Sequence, residues 1–170
     1  AIKTAKLVAY VYEPAEVTAN DKYYPFASFN EAKAFVANGE GYRTYYIELV
    51  SDSIGADLTD LPSNLLGIRV HKDATADKIK LTAKTDIEFS ISLELENVNI
   101  VASGKTIYAG GGMLNLYNSD ITAGRADRID WLYVENGTAT FTSKTGNTMN
   151  YIEVYAGGCL KCPAFSGFES

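Results

Sequence analysis

Long apolar runs are missing from this chain. No stretch approaches 18 consecutive apolar residues, and the apolar segment from Leu7 to Tyr12 stops at Glu13-Pro14, so neither a membrane-spanning helix nor a signal peptide is expected within these residues. Basic residues are the scarcer sign, 15 Lys and Arg against 21 Asp and Glu, giving a net charge of −6. Such a chain lacks the basic footprint that attracts phosphate backbones, so nucleic acid is not an expected partner. Histidine occurs once, at His71, and cysteine twice, at Cys159 and Cys162. Zinc needs four ligands, and a thioredoxin-like motif needs a βαβ context that is absent. The two cysteines therefore read as a small disulfide or two free thiols, and no cofactor is expected. With neither an HExxH motif nor a nucleophile to partner it, His71 is expected at the surface. Ser103-Gly104-Lys105-Thr106 ends like a phosphate-binding loop, but Asn99 stands where that loop needs glycine.

What the chain does have is repetition. Leu93-Glu94-Leu95-Glu96-Asn97, Leu114-Asn115-Leu116-Tyr117-Asn118 and Leu132-Tyr133-Val134-Glu135-Asn136 are copies of one phrase, starting 21 and then 18 residues apart. A fourth, Ile152-Glu153-Val154-Tyr155-Ala156, has lost its Asn. Each copy alternates apolar with polar and ends in a turn residue, as a strand with one buried face does. A strand period near 20 residues predicts a solenoid. Ile79-Lys80-Leu81, Ile87-Glu88-Phe89 and Ile91-Ser92-Leu93 are spaced too closely for one strand per coil, which predicts three sides to each coil. Stacked coils would place Leu95, Leu116 and Val134 inside, and Asn97, Asn118 and Asn136 in a ladder at one corner.

Around this repeat the chain divides into residues 1–45, an N-terminal strand and capping helix, and residues 46–170, the coils with a C-terminal cap. Ile2 to Tyr12 is strand-like, and Pro14 to Pro25 reads as a loop. Ser28-Phe29-Asn30-Glu31 is a capping box that starts a helix with Phe29, Ala32, Phe35 and Val36 on one face and Gly39 as its stop. This helix is well placed to cover the open cross-section of the first coil. Tyr151 to Tyr155 is expected as the last coil, Pro163 to Ser170 as a tail over the end with Phe165 and Phe168, and most aromatics as core, corner stacks and caps. The expected fold is all-β, a right-handed parallel β-helix of about six coils with one N-terminal capping helix. A leucine-rich repeat, prompted by Leu58, Leu61, Asn64 and Leu65, is the alternative.

The helix from Phe26 to Ala32, the strand Ile47-Glu48-Leu49 and the Leu-x-Leu-x-Asn-x-x-Ile coils together resemble the parallel β-helices of the pectin lyase-like superfamily. The likeness is greatest to short, adhesin-like bacterial members. It implies a secreted or cell-surface module, non-catalytic, that binds a glycan or an extracellular protein, alone or within a larger surface protein. A start at Ala1 without Met fits a mature secreted form or a piece of a longer precursor. Enzymes of the superfamily cleave polysaccharides, but Asn118-Ser119-Asp120 and Arg128-Ile129-Asp130 only echo their motifs. Asp120, Arg125, Asp127, Asp130 and Trp131, on an expected loop from Asp120 to Trp131, are the candidate ligand-binding residues. A polysaccharide lyase or hydrolase, or a remnant of one, and an architectural spacer remain the alternatives.

Overall fold

The structure is a computed structural model that describes residues 6–14 and 21–166. The expected strand residues 2–5, loop residues 15–20 and the tail residue Phe168 lie outside these. In chain order the elements are β1 (Ala9–Glu13), β2 (Lys22–Phe26), α1 (Phe29–Ala37), β3 (Tyr45–Leu49), β4 (Ser53–Ala56), β5 (Leu65–Val70), β6 (Ile79–Ala83) and β7 (Ile87–Glu88). They continue with β8 (Ser92–Glu96), β9 (Val98–Tyr117), β10 (Asp120–Glu135), β11 (Thr138–Phe141), β12 (Met149–Val154) and β13 (Cys159–Lys161). Parallel pairing from β3 onward winds them into a β-solenoid of about six turns. Each turn has three sides: successive parts of β9 pair with β6, β7 and β8 in parallel, so one strand bends around two corners.

Alternation along each strand sends every second side chain inward, where equivalent positions stack. Ile47 pairs with Ile68, Ile68 with Leu95, Leu95 with Leu116, and Leu116 with Val134, none more than 1% exposed. On the second side Leu81, Ile100, Ile121 and Ala139 form a similar column. Burying each large aliphatic chain contributes about 1.5–3 kcal/mol, and the columns share one continuous core.

The corner after the first side is built by asparagine. Asn97, Asn118 and Asn136 have φ of 59°, 47° and 51°, the left-handed region that Asn tolerates better than other side-chain-bearing residues. The Asn118 amide donates to Asn97 Oδ1 at 2.7 Å, and the Asn136 amide donates to Asn118 Oδ1 at 3.0 Å. Asn118→Ala loses both bonds and the backbone tolerance, whereas Asn118→Gly loses only the bonds. The expected costs are about 2 and about 1 kcal/mol, read by denaturant unfolding; an Ala variant as stable as the Gly variant would contradict this account.

At the N-terminus the first coil is closed by a hairpin. β1 pairs antiparallel with both β3 and β2, so part of the expected loop, Lys22 to Pro25, is a strand instead. Pro25 lacks an N–H and Lys22 is charged; on an edge strand both discourage further pairing. The buried side of α1, Phe29, Ala32 and Val36, packs on this hairpin and the first coil. The Ser28 hydroxyl accepts from the Glu31 N–H at 3.1 Å and itself donates to the Glu31 carboxylate. Asn64 donates from its buried amide to the Val36 carbonyl, tying the helix end to the coil. Leu58, Leu61 and Leu65 are core residues of the β-helix, not a leucine-rich repeat.

Three further expectations are corrected. His71 is buried, 4% exposed, because it stacks on Tyr10 at 4.4 Å, meets the edge of Tyr23 and lies 3.8 Å from the Glu48 carboxylate. The stretch from Asp120 to Trp131 is part of β10 rather than a loop, since solenoid strands carry charges on outward positions. Tyr151 to Tyr155 is followed by β13, which adds a further strand to the last turn. The two cysteines are unbonded: Leu160 and Cys162 turn toward the core while Cys159 pairs beside Thr138, and an extended segment separates such residues by about 10 Å, beyond disulfide reach. Burial raises the Cys162 thiol pKa. In the tail, Ser166 bridges Thr148 and the Asn147 amide donates to the Ala164 carbonyl, while Phe165 stays exposed.

Candidate aromatic face and groove

A mismatch between neighbouring corners opens a groove. Ala109 pairs with Ile129 and Met113 with Trp131, so Gly110, Gly111 and Gly112 stand opposite the single residue Asp130. Gly111 has φ of 74°, and its N–H donates to the Asp130 carboxylate. A side chain on Gly112 would strike the Ile91 carbonyl, its Cβ falling 2.8 Å from that oxygen. With no side chains at this corner, an open groove of about 600 Å³ remains, lined by Ser92, Gly111, Gly112, Met113, Arg128, Asp130, Trp131, Asn150 and Tyr151. The Trp131 and Tyr151 rings lie 4.3 Å apart on its wall and are 37% and 47% exposed.

The groove opens onto the outer side of the sheet formed by β8, residues 113–117, residues 131–135 and β12. Pairing aligns Ser92, Met113, Trp131 and Tyr151 in one row, and Glu94, Asn115, Tyr133 and Glu153 in the next. A third row holds Glu96, Tyr117 and Glu135, and Tyr155 follows just beyond β12. None of these positions is Lys or Arg. The tyrosines stack along the axis, Tyr117 to Tyr133 at 5.4 Å and Tyr133 to Tyr155 at 5.0 Å. Tyr133 donates its hydroxyl to Glu135 at 2.7 Å, and Tyr155 donates to Glu153 at 3.3 Å. The hydrogen bond to Glu135 pushes the Tyr133 phenol up to about 12; Tyr151 and Tyr155 are raised by Glu153, and Tyr117 by burial and then Glu94. At the far end of the same side Arg69 is held by Glu48 at 2.7 Å and lies over the Tyr46 ring at 4.0 Å.

The five residues singled out in the sequence fall in three places. Asp120, on the second side, accepts from Lys78 Nζ at 2.7 Å and from the Thr138 N–H at 2.9 Å, so it staples neighbouring coils. Asp86 does the same for the Thr106 N–H and Asp52 for that of Lys80. Arg125 and Asp127, on the third side, pair with each other at 3.3 Å, both well exposed. Asp130 and Trp131 reach the groove. Asp120, Arg125 and Asp127 thus do not converge, and no group of three or more His, Cys, Asp or Glu capable of holding a metal occurs among the described residues.

Asp130 is the carboxylate of the groove wall. Hydrogen bonds from Arg128, at 2.8 Å, and from the Gly111 N–H hold its carboxyl below the usual range. A depressed folded-state pKa gives stability that is present above the unfolded value of about 3.9 and lost as pH falls through the folded value. The stability difference between the native chain and Asp130→Asn, measured by melting against pH, is therefore expected to shrink below about pH 4. A difference independent of pH would contradict it.

The exposed aromatic face departs from the sequence reading, which assigns most aromatics to core, corner stacks and caps. Only Tyr45 of the tyrosines is buried. The signal was in the repeated phrase: its polar positions carry Glu94, Asn115, Tyr133 and Glu153, then Glu96, Tyr117, Glu135 and Tyr155, and outward residues of stacked coils must form rows. Comparison with known proteins finds no matching family model, no matching curated protein and no matching solved structure.

Proposed function

We propose that the chain is a non-catalytic binding module of a secreted or cell-surface protein, and that it holds a linear glycan against the groove and face around Trp131 and Tyr151. The observation that carries this reading is the exposed Trp131–Tyr151 pair beside an open, polar-lined groove. Rings with apolar faces stack on the C–H faces of sugars, while Asp130, Arg128, Ser92 and Asn150 offer donors and acceptors for hydroxyl groups at the rim. A protein ligand is the other occupant the sequence suggested; the side-chain-free glycine corner suits a slender polymer better. The likeness to short adhesin-like pectin lyase-like β-helices accords with such a role and belongs to the same proposal.

Trp131 is the chain's single tryptophan, so its emission reports directly on the groove. Titration with linear oligosaccharides is expected to shift that emission. In a calorimetric titration Trp131→Ala is expected to weaken binding at least about tenfold, while circular dichroism shows the chain still folded. Emission unmoved by any oligosaccharide of a broad panel, or release of shortened or unsaturated products from a bound polymer, would overturn the reading.

A further inference from the structure

The distribution of charge on the aromatic face narrows the ligand class. Along the third row carboxylate and ring alternate, Glu96, Tyr117, Glu135 and Tyr155, and beside them Tyr133 lies between Glu135 and Glu153. A polymer of uronic acids laid along these coils would set its carboxylates against Glu135 and Glu153 and would be repelled. A neutral polymer would use the rings and could donate hydroxyls to the carboxylates, but would leave their charge uncompensated. A cation set above a tyrosine ring uses both, because the ring's negative face and the flanking carboxylate attract it together. We propose that the face selects a linear amino-sugar polymer whose amines are free and protonated, the rings taking the sugar faces and Glu135 and Glu153 the ammonium groups. Ring and carboxylate sit together in two adjacent coils of the face, Tyr133 with Glu135 and Tyr155 with Glu153, which suits a polymer carrying charge on successive units. This inference rests on the reading that the face around Trp131 is the ligand site.

The test compares four probes on the full chain by calorimetric titration: the fully deacetylated glucosamine tetramer, its N-acetylated counterpart, tetragalacturonate and tetralysine. The deacetylated tetramer is expected to bind about tenfold more tightly than the acetylated one, with a preference that weakens as salt is raised. Glu135→Gln combined with Glu153→Gln is expected to bring the two tetramers to equal affinity. Asp127→Asn, which removes one negative charge from another side of the solenoid, is expected to preserve the preference. Equal binding of the two tetramers by the native chain, or tighter binding of tetragalacturonate, overturns the charge selection while leaving the glycan site standing. Binding of tetralysine in preference to every saccharide overturns the amino-sugar assignment in favour of a basic peptide. No binding of any saccharide, with Trp131 emission unmoved, overturns the glycan reading itself.

Discussion

Leu116→Asp is expected to leave the chain unfolded. Leu116 is wholly buried between Leu95 and Val134 in the central column, so an aspartate there has no partner and no water. The substitution removes the hydrophobic contribution of a full leucine, about 3 kcal/mol, and adds the cost of an unpaired buried charge, several kcal/mol more; the sum is comparable to the roughly 5–15 kcal/mol that holds a domain folded. Circular dichroism should show loss of the strand signal. Glu94→Lys, one coil away but facing outward, should change stability by no more than about 0.5 kcal/mol. A folded Leu116→Asp chain with unchanged melting would mean that the register of the coils is wrong.

Gly137→Ala is expected to be nearly as damaging for a different reason. A Cβ at this position would fall 1.9 Å from the Ser119 carbonyl oxygen and 3.0 Å from its nitrogen, so the backbone of two coils must separate. Ser119 cannot yield easily. It is fully buried, and its hydroxyl accepts from the Val98 N–H at 3.0 Å and donates to the Tyr117 carbonyl at 2.9 Å. The expected loss is about 3 kcal/mol, measured by denaturant unfolding. Gly41→Ala provides the control, since nothing lies within 4 Å of its Cβ position; a loss there as large as at Gly137 would contradict the steric argument.

The coils were legible because their signals are local. Alternation in Leu93–Glu96 states which side is buried, Asn97 states where the chain turns, and the return of both after about 20 residues states that coils stack. The hairpin was harder. Pro25 reads as a breaker from sequence alone, and only the antiparallel partner β1 gives Lys22–Phe26 its strand partner, a long-range fact. His71 was misplaced for the same reason, because Tyr10, Tyr23 and Glu48, which bury it, are distant in sequence. Asp120 to Trp131 looked like a loop because it is dense in charge. In a narrow solenoid, however, three strand sides have solvent on their outer faces, and carboxylates such as Asp120 serve backbone N–H groups of the next coil. Of the five site candidates, Asp130 and Trp131 reach the groove, and the tyrosine rows beside them became visible only when the register placed phrase positions side by side.

Ligand is expected on the face carrying Trp131 rather than on the side carrying Arg125 and Asp127. The most direct measurement is retention on a glycan array of the native chain, Trp131→Ala and Asp127→Asn. The native chain and Asp127→Asn are expected to be retained on the same linear glycans, and Trp131→Ala to be lost from them. Retention of Trp131→Ala together with loss of Asp127→Asn would contradict it and move the site to the third side of the solenoid.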